Sequence, residues 1–325
     1  MESPSAFDNG KSKNGAMVRP VTIVTGGAGF IGAHLVATLH RRGVEVIIID
    51  DLSSGKRENL DTLGVDVALL QADIADPESL RPLGRRKIDS IYHLASQASV
   101  PQSVRQPVED FSTNLRGTLN VLEFAREHQA QVVFPSTVSV YASDNPKPLP
   151  ESARIHASSP YGAAKAGAEN YCFAYSNCYG VRTIVARLFN VYGPLMRKYV
   201  IYDFVCKLRK NPKTLTVIGT GEQVRDYTYV TDAVAALELL AEHGKCGEAY
   251  NVGSGIPTTI MEVARLISEE MGLCDVEMVC TNERPVGDIQ EWYADVGRLR
   301  GLGYEPQVSL REGVRRTVRD ILDKP

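Results

Sequence analysis

The sequence predicts an α/β protein: a doubly wound parallel sheet followed by a smaller C-terminal lobe. Three observations carry the prediction. β-branched runs alternate with helical patterns through the first half of the chain. A glycine-rich turn, Gly26-Gly27-Ala28-Gly29-Phe30-Ile31-Gly32, joins the first strand to the first helix. An acid, Asp50, closes the second strand.

Val21–Thr25 is a β-branched run ended by glycine and reads as a buried parallel strand. Residues 31–42 place Ile31, Leu35, Val36 and Leu39 at helical spacing, and Gly43 closes that helix. Val44–Ile49 is a second buried strand, which completes a βαβ unit. Val65–Gln71 reads as a strand, Pro77–Leu83 as a short helix and Ser90–Leu94 as a strand. Val108–Glu127 reads as one helix with apolar Leu115, Leu119, Leu122 and Ala125. Gln131–Phe134 is the next strand, Tyr161–Tyr179 a long helix and Arg182–Arg187 a further strand. Strands alternating with helices imply a parallel sheet covered on both faces, a Rossmann-type arrangement over residues 20–187. Beyond residue 188, prolines and glycines loosen the pattern, with helices expected near 199–210, 231–242, 258–271 and 309–323. Residues 188–325 are expected to form mainly a substrate-binding lobe, with segments such as 224–252 returning to the first domain.

The chain has 325 residues, with 36 Lys+Arg against 39 Asp+Glu and a net charge of −3. That balance gives no electrostatic case for nucleic acid or an anionic membrane. No apolar run reaches the ~18 residues that cross a bilayer. Residues 1–19 are polar and read as a flexible tail without the apolar core of a signal peptide. The six cysteines show no Cys-x-x-Cys spacing. They are expected to be reduced thiols in a cytoplasmic protein, with no metal site.

The glycine turn suits a dinucleotide. Gly26, Gly29 and Gly32 allow a tight turn and a close backbone approach to a pyrophosphate, and the helix N-terminus offers free N–H groups. A glycine pattern alone is weak, but the strand before, the helix after and the acid at Asp50 agree with it. A carboxylate at Asp50 can accept bonds from ribose hydroxyls and would repel a 2′-phosphate, which favours NAD over NADP. Tyr161 and Lys165 stand at i and i+4, on one helix face. A free tyrosine is a poor base at neutral pH, but a neighbouring ammonium and a cationic nicotinamide favour the phenolate. A Tyr-x-x-x-Lys match alone is common. Here Ser136-Thr137 also falls at the carboxyl end of a strand, where a hydroxyl can bond a reacting oxygen.

The sequence resembles the extended short-chain dehydrogenase/reductase family, in particular the nucleotide-sugar epimerases and dehydratases. The matching stretches are TGGAGFIG (25–32), DDLSSGKRENL (50–60), HLAS (93–96), Asn114 before RGTLNVLE (116–123), the Thr137/Tyr161/Lys165 trio, RLFNVYGP (187–194), VRDYTYVTD (224–232), YNVGSG (250–255) and RPVGD (284–288). The resemblance implies that Gly26, Gly29, Phe30, Ile31 and Gly32 hold the pyrophosphate of NAD. It places Asp50, Asp51, Ser54 and Gly55 on the adenosine side, with Asp73 and Ile74 bordering the adenine. Leu94, Ala95, Ser96 and Asn114 would line the cofactor path, and Lys165 would contact the nicotinamide ribose. Asn190, Arg225 and Arg284 look like the residues that hold a nucleotide diphosphate, for which planar guanidinium groups are suited. Trp292 falls where the sugar pocket is walled, and a packed structural tryptophan is an equal reading there. The segment Pro194–Tyr199 is short for the family. A homodimer is the expected assembly.

Sugar dehydratases of the family carry Asp-Glu after the threonine, and the decarboxylases a Glu two residues after it. This chain has Val138 and Ser139. The resemblance therefore implies a 4-epimerase, acting on UDP-glucose and UDP-galactose or a related UDP-hexose. Dehydratase or decarboxylase chemistry is the alternative. A non-catalytic NAD-binding sensor is a third reading, which the intact trio disfavours.

Overall fold

The computed structural model describes residues 21–84, 86–283 and 289–323, so the expected tail at 1–19 lies outside the described residues. The first half contains β1 (Val21–Thr25), α1 (Phe30–Arg41), β2 (Glu45–Asp50), α2 (Arg57–Thr62), β3 (Ala68–Gln71) and β4 (Ser90–His93). It continues through α3 (Val100–Arg105), α4 (Pro107–Phe111), α5 (Gly117–His128), β5 (Gln131–Thr137), α6 (Pro160–Tyr179) and β6 (Thr183–Leu188). The second half adds β7 (Asn190–Tyr192), α7 (Tyr199–Lys210), β8 (Thr214–Val217), β9 (Val224–Tyr229), α8 (Val230–His243) and β10 (Glu248–Val252). It ends with β11 (Pro257–Thr259), α9 (Ile260–Glu270), β12 (Glu277–Cys280), α10 (Gly297–Arg300) and α11 (Leu310–Asp323).

Seven strands form one parallel sheet in the order β10-β6-β5-β4-β1-β2-β3. Successive residues of its strands feed opposite faces, as a pleat requires. On one face Val24, Val46 and Ile48 pack with Leu35, Val36 and Leu39 of α1 and Ala233, Leu237 and Leu240 of α8. On the other, Ile23, Ile47 and Ile49 pack with Val121 and Leu122 of α5 and Ala168 and Cys172 of α6. Both faces are covered, so the strands read as continuous apolar runs. The chain reverses its direction of winding between β1 and β4, and such a switch point opens a crevice at the carboxyl ends of the strands. A third cluster builds the smaller lobe from Ile201, Phe204, Val205 and Leu208 of α7, Val263, Ala264 and Ile267 of α9, and Val314, Val318 and Ile321 of α11.

Two expected elements differ. Residues 108–127 are not one α-helix: α4 and α5 are joined by a π turn over Ser112–Arg116. The wider turn accompanies an inward Asn114, whose amide donates to Gln97 O at 2.9 Å and to Asp110 Oδ1 at 2.9 Å. Residues 77–83 form turns with a single 3₁₀ turn at Arg81–Leu83. There Asp73 and Asp76 accept the N–H groups of Ala75 and Glu78, side-chain turns that compete with a helix. Among the described residues no helix is long and apolar enough to cross a membrane.

Candidate active site

The β1–α1 turn is built for close approach. Gly26 has φ +69, and a Cβ there would lie 2.6 Å from Ala95 N and 2.7 Å from Leu94 C. The turn after β1 thus sits directly against the chain leaving β4, at the switch point. A Cβ on Gly32 would collide with Gly26 O and come within 2.8 Å of Gly27 Cα. The N-cap of α1 is Gly29, with no capping side chain and no acid in the first turn. Its leading N–H groups are left for an external anion, and the cradle fits a pyrophosphate. Phe30 and Ile31, the first residues of α1, are half-buried and pack against the cores of both lobes.

Asp50 ends β2 and is 6% exposed. Its Oδ2 accepts Ala28 N–H at 2.9 Å and its Oδ1 accepts Leu52 N–H at 2.9 Å. Burial pushes its carboxyl up, and these two amides oppose the shift. A Cβ on Gly55 would lie 2.9 Å from both carboxylate oxygens, so Gly55 keeps the space over Asp50 open. Asp51 is exposed and turned to its own loop, where it accepts from Ser53 N–H and Ser53 Oγ–H. Ser54 is exposed beside it. Asp73 is exposed and caps Ala75, while Ile74 is buried against Gly117.

The opposite wall comes from the chain after β4. Leu94 and Ala95 are half-buried, and Ala95 N–H donates to Thr25 Oγ1 at 3.1 Å. Ser96 Oγ donates to Asn114 Oδ1 at 2.7 Å, and Gln97 N–H donates to the same oxygen at 3.0 Å. Gln97 Nε2 and Asn114 Nδ2 both donate to Asp110 Oδ1, while Asp110 Oδ2 is buried without a partner among the described residues. Gln97 and Asp110 were not read from the sequence. The i, i+4 spacing of Asp110 and Asn114 is the signal that could have found the acid.

Thr137 ends β5, and Tyr161 and Lys165 lie one turn apart on α6, whose N-cap Ser159 accepts Gly162 N–H. All three are buried. The Tyr161 hydroxyl is within hydrogen-bonding reach of Thr137 and of Ser96. Lys165 Nζ stands 4.0 Å over the Phe134 ring. Burial lowers Lys165 to about 8, against opposing pulls from Cys172, Glu169 and Asp110. Burial also pushes the Tyr161 phenol up, with Thr137 and Ser96 opposing. The ammonium was expected to depress Tyr161. Among the protein's own groups burial wins instead and holds a neutral phenol. His93 bridges Thr25 Oγ1 at 2.7 Å and Thr118 Oγ1 at 3.1 Å. Burial, and then Lys165, push it down to about 3, so it is a neutral structural ring and not a competing base.

On the smaller lobe's side, Asn190 opens β7 and is half-buried beside β9. Arg225 on β9 donates to Val224 O at 2.8 Å, and its guanidinium stands 5.4 Å from the centre of the Trp292 ring. Trp292 is half-buried against Val138, Val140 and Phe189, and its N–H donates to no described group. Val138 is buried in that cluster, and Ser139 N–H donates to Thr137 Oγ1 at 3.2 Å. Arg284 lies outside the described residues.

A parallel sheet with a glycine cradle at its switch point, and a Tyr/Lys pair beside a strand-end threonine, define an NAD-binding enzyme of the short-chain dehydrogenase/reductase class. Residues 22–253 match the model of the NAD-dependent epimerase/dehydratase family. UDP-glucuronic acid decarboxylase 1 from Arabidopsis thaliana is 35% identical, over 93% of this chain and 70% of that protein. The structure of UDP-glucose 4-epimerase from Thermotoga maritima with UDP-glucose superposes with a TM-score of 0.87 at 36% identity, covering 93% of this chain and 99% of that one. A dTDP-glucose 4,6-dehydratase from Streptomyces venezuelae, crystallised with NAD, superposes with a TM-score of 0.85 at 33% identity, covering 94% and 97%. The chain belongs to the NAD-dependent epimerase/dehydratase family, and its cofactor is NAD.

Proposed function

We propose that this chain is a nucleotide-sugar 4-epimerase that interconverts UDP-glucose and UDP-galactose or a related pair of UDP-hexoses. The observation that carries the reading is the grouping of Thr137, Ser96 and Tyr161 at one hydroxyl, with Val138 and Ser139 where an eliminating enzyme needs acids. Asp110, the carboxylate whose charge acts on Tyr161, is fully buried; its Oδ1 accepts from Gln97 and Asn114, while its Oδ2 has no partner among the described residues.

When bound, NAD supplies the acceptor and donor of the C4 hydride and a positive ring. Gly26, Gly29 and Gly32 would receive its pyrophosphate, Asp50 its adenosine ribose and Lys165 its nicotinamide ribose. Tyr161, a neutral phenol in the chain alone, would act as the phenolate once a positive ring lies beside it and the Lys165 ammonium; it takes the proton of the sugar 4-hydroxyl as that carbon is oxidised, and returns it on reduction. Thr137 orients the same oxygen. Asn190, Arg225 and Arg284 hold the diphosphate while the flat 4-keto ring turns, and Trp292 limits the room beside it. Binding energy from the diphosphate keeps the sugar in place without fixing one face.

The name of the Arabidopsis relative favours UDP-glucuronate decarboxylation as a second reading. A panel of UDP-, GDP-, CDP- and dTDP-sugars, including UDP-glucuronate, separates the two by chromatography of the products. A UDP-hexose epimer formed without net cofactor consumption supports the first reading. A UDP-pentose from UDP-glucuronate would replace it. We also propose a homodimer formed through α3, α4 and α6, which leave Val104, Val108, Phe111, Tyr171 and Tyr179 exposed, and a cytoplasmic setting.

A further inference from the structure

The segment between β7 and α7 is short and tightly pinned. Pro194 O lies 3.0 Å from His34 Nε2 on α1. Leu195 N–H donates to Asp320 Oδ2 of α11 at 2.9 Å, and Arg197 Nη1 pairs with the same oxygen at 2.8 Å. Leu195 has φ +71 and Tyr199 has φ +68, left-handed values that a non-glycine residue adopts only at a cost. The two bracket Met196, Arg197 and Lys198. At its far end the Tyr199 hydroxyl reaches the other wall and donates to Ala98 O at 3.3 Å. Ala98 follows Gln97 and Ser96, the second of which acts on the Tyr161 hydroxyl.

Tyr199 is 58% exposed, although its phenol is pushed up by burial and interacts electrostatically with Tyr161. The bond to Ala98 is itself solvent-exposed, and more than half of the side chain is open to a ligand. We propose that Tyr199 is a sugar-contacting residue that bridges the two walls of the crevice and closes it over Tyr161. The inference rests on the nucleotide-sugar reading given above. An aromatic face there suits the C–H face of a pyranose, and the Ala98 bond holds the strap shut. A closed strap retains a 4-keto sugar that is held only through its diphosphate.

Titration calorimetry with UDP and with UDP-glucose, on wild type, Tyr199→Phe and Tyr199→Ala, tests this. Equal melting temperatures would establish that both variants fold. Tyr199→Ala is expected to weaken UDP-glucose binding about tenfold, equivalent to about 1.4 kcal/mol, and to leave UDP binding unchanged. It should also release 4-keto sugar during turnover. Tyr199→Phe, which keeps the ring but loses the Ala98 bond, should restore UDP-glucose affinity to within about threefold and still release 4-keto sugar during turnover. Equal weakening of UDP and UDP-glucose, or no weakening of either, would overturn the proposal. A wild-type chain that binds UDP-glucose more tightly than UDP without epimerising it would sink the reaction reading and leave Tyr199 tested by the same titrations. A wild-type chain that binds neither would overturn both.

Discussion

Tyr161 and Lys165 are buried one helical turn apart and share Asp110, but their other neighbours differ. Tyr161→Phe should lose roughly 10²–10⁴-fold in turnover, the value of a positioned proton acceptor. The dinucleotide recovered after denaturing the variant should still be NAD. Unchanged turnover would remove Tyr161 from the chemistry. Lys165 gives a pH signature. Its folded value is about 8 against an ordinary 10.5, so the folded chain carries a cost of about 3 kcal/mol while the group stays charged. That cost is present below pH 8 and fades as pH rises toward the ordinary lysine value. Lys165→Met, inactive, should be more stable than wild type at pH 7. The gap should shrink by about pH 10, as read by urea denaturation. A gap independent of pH would contradict a desolvated ammonium. Asp50, Thr137, Tyr161 and Lys165 were legible because each stands at a strand end or on one helix face. The environment of Tyr161 was not, because Ser96, Asp110 and Tyr199 reach it from segments distant in sequence. The signs of buried groups depend on such neighbours.

Among the elements, the β1–α1 turn carries the most information in the fewest residues. Gly32→Ala puts a methyl group onto Gly26 O and should deform the cradle. The purified variant should lose bound NAD, with a lower melting temperature, and full NAD occupancy would show that the turn adapts. The strands β1 to β6 of the main sheet and the helices α1, α6 and α8 were legible, because buried β-branched runs and 3.6-residue spacing are strong patterns, whereas β9 and the sheet-edge strand β10 were not read as strands. The short strands β7, β8, β11 and β12 were not read. Each has three or four residues, and their pairing comes from partners remote in sequence. The helix around Asn114 was read as continuous, since apolar spacing does not register a π turn set by Gln97 and Asp110.

For the whole molecule, the outer faces of α3, α4 and α6 present more apolar surface than the sheet needs. Light scattering should give twice the 35.6 kDa chain mass, and Val108→Glu with Phe111→Glu should give the single-chain mass. A wild-type monomer at micromolar concentration would remove the dimer. The central claim is that hydride leaves and returns at one carbon with no elimination step. It is tested most directly by turnover of UDP-glucose in deuterium oxide, with the product examined by proton NMR. The account predicts UDP-galactose with no deuterium bound to any sugar carbon, since Tyr161 exchanges only the hydroxyl proton. Deuterium on a sugar carbon, or an accumulating 4-keto-6-deoxy sugar, would contradict it.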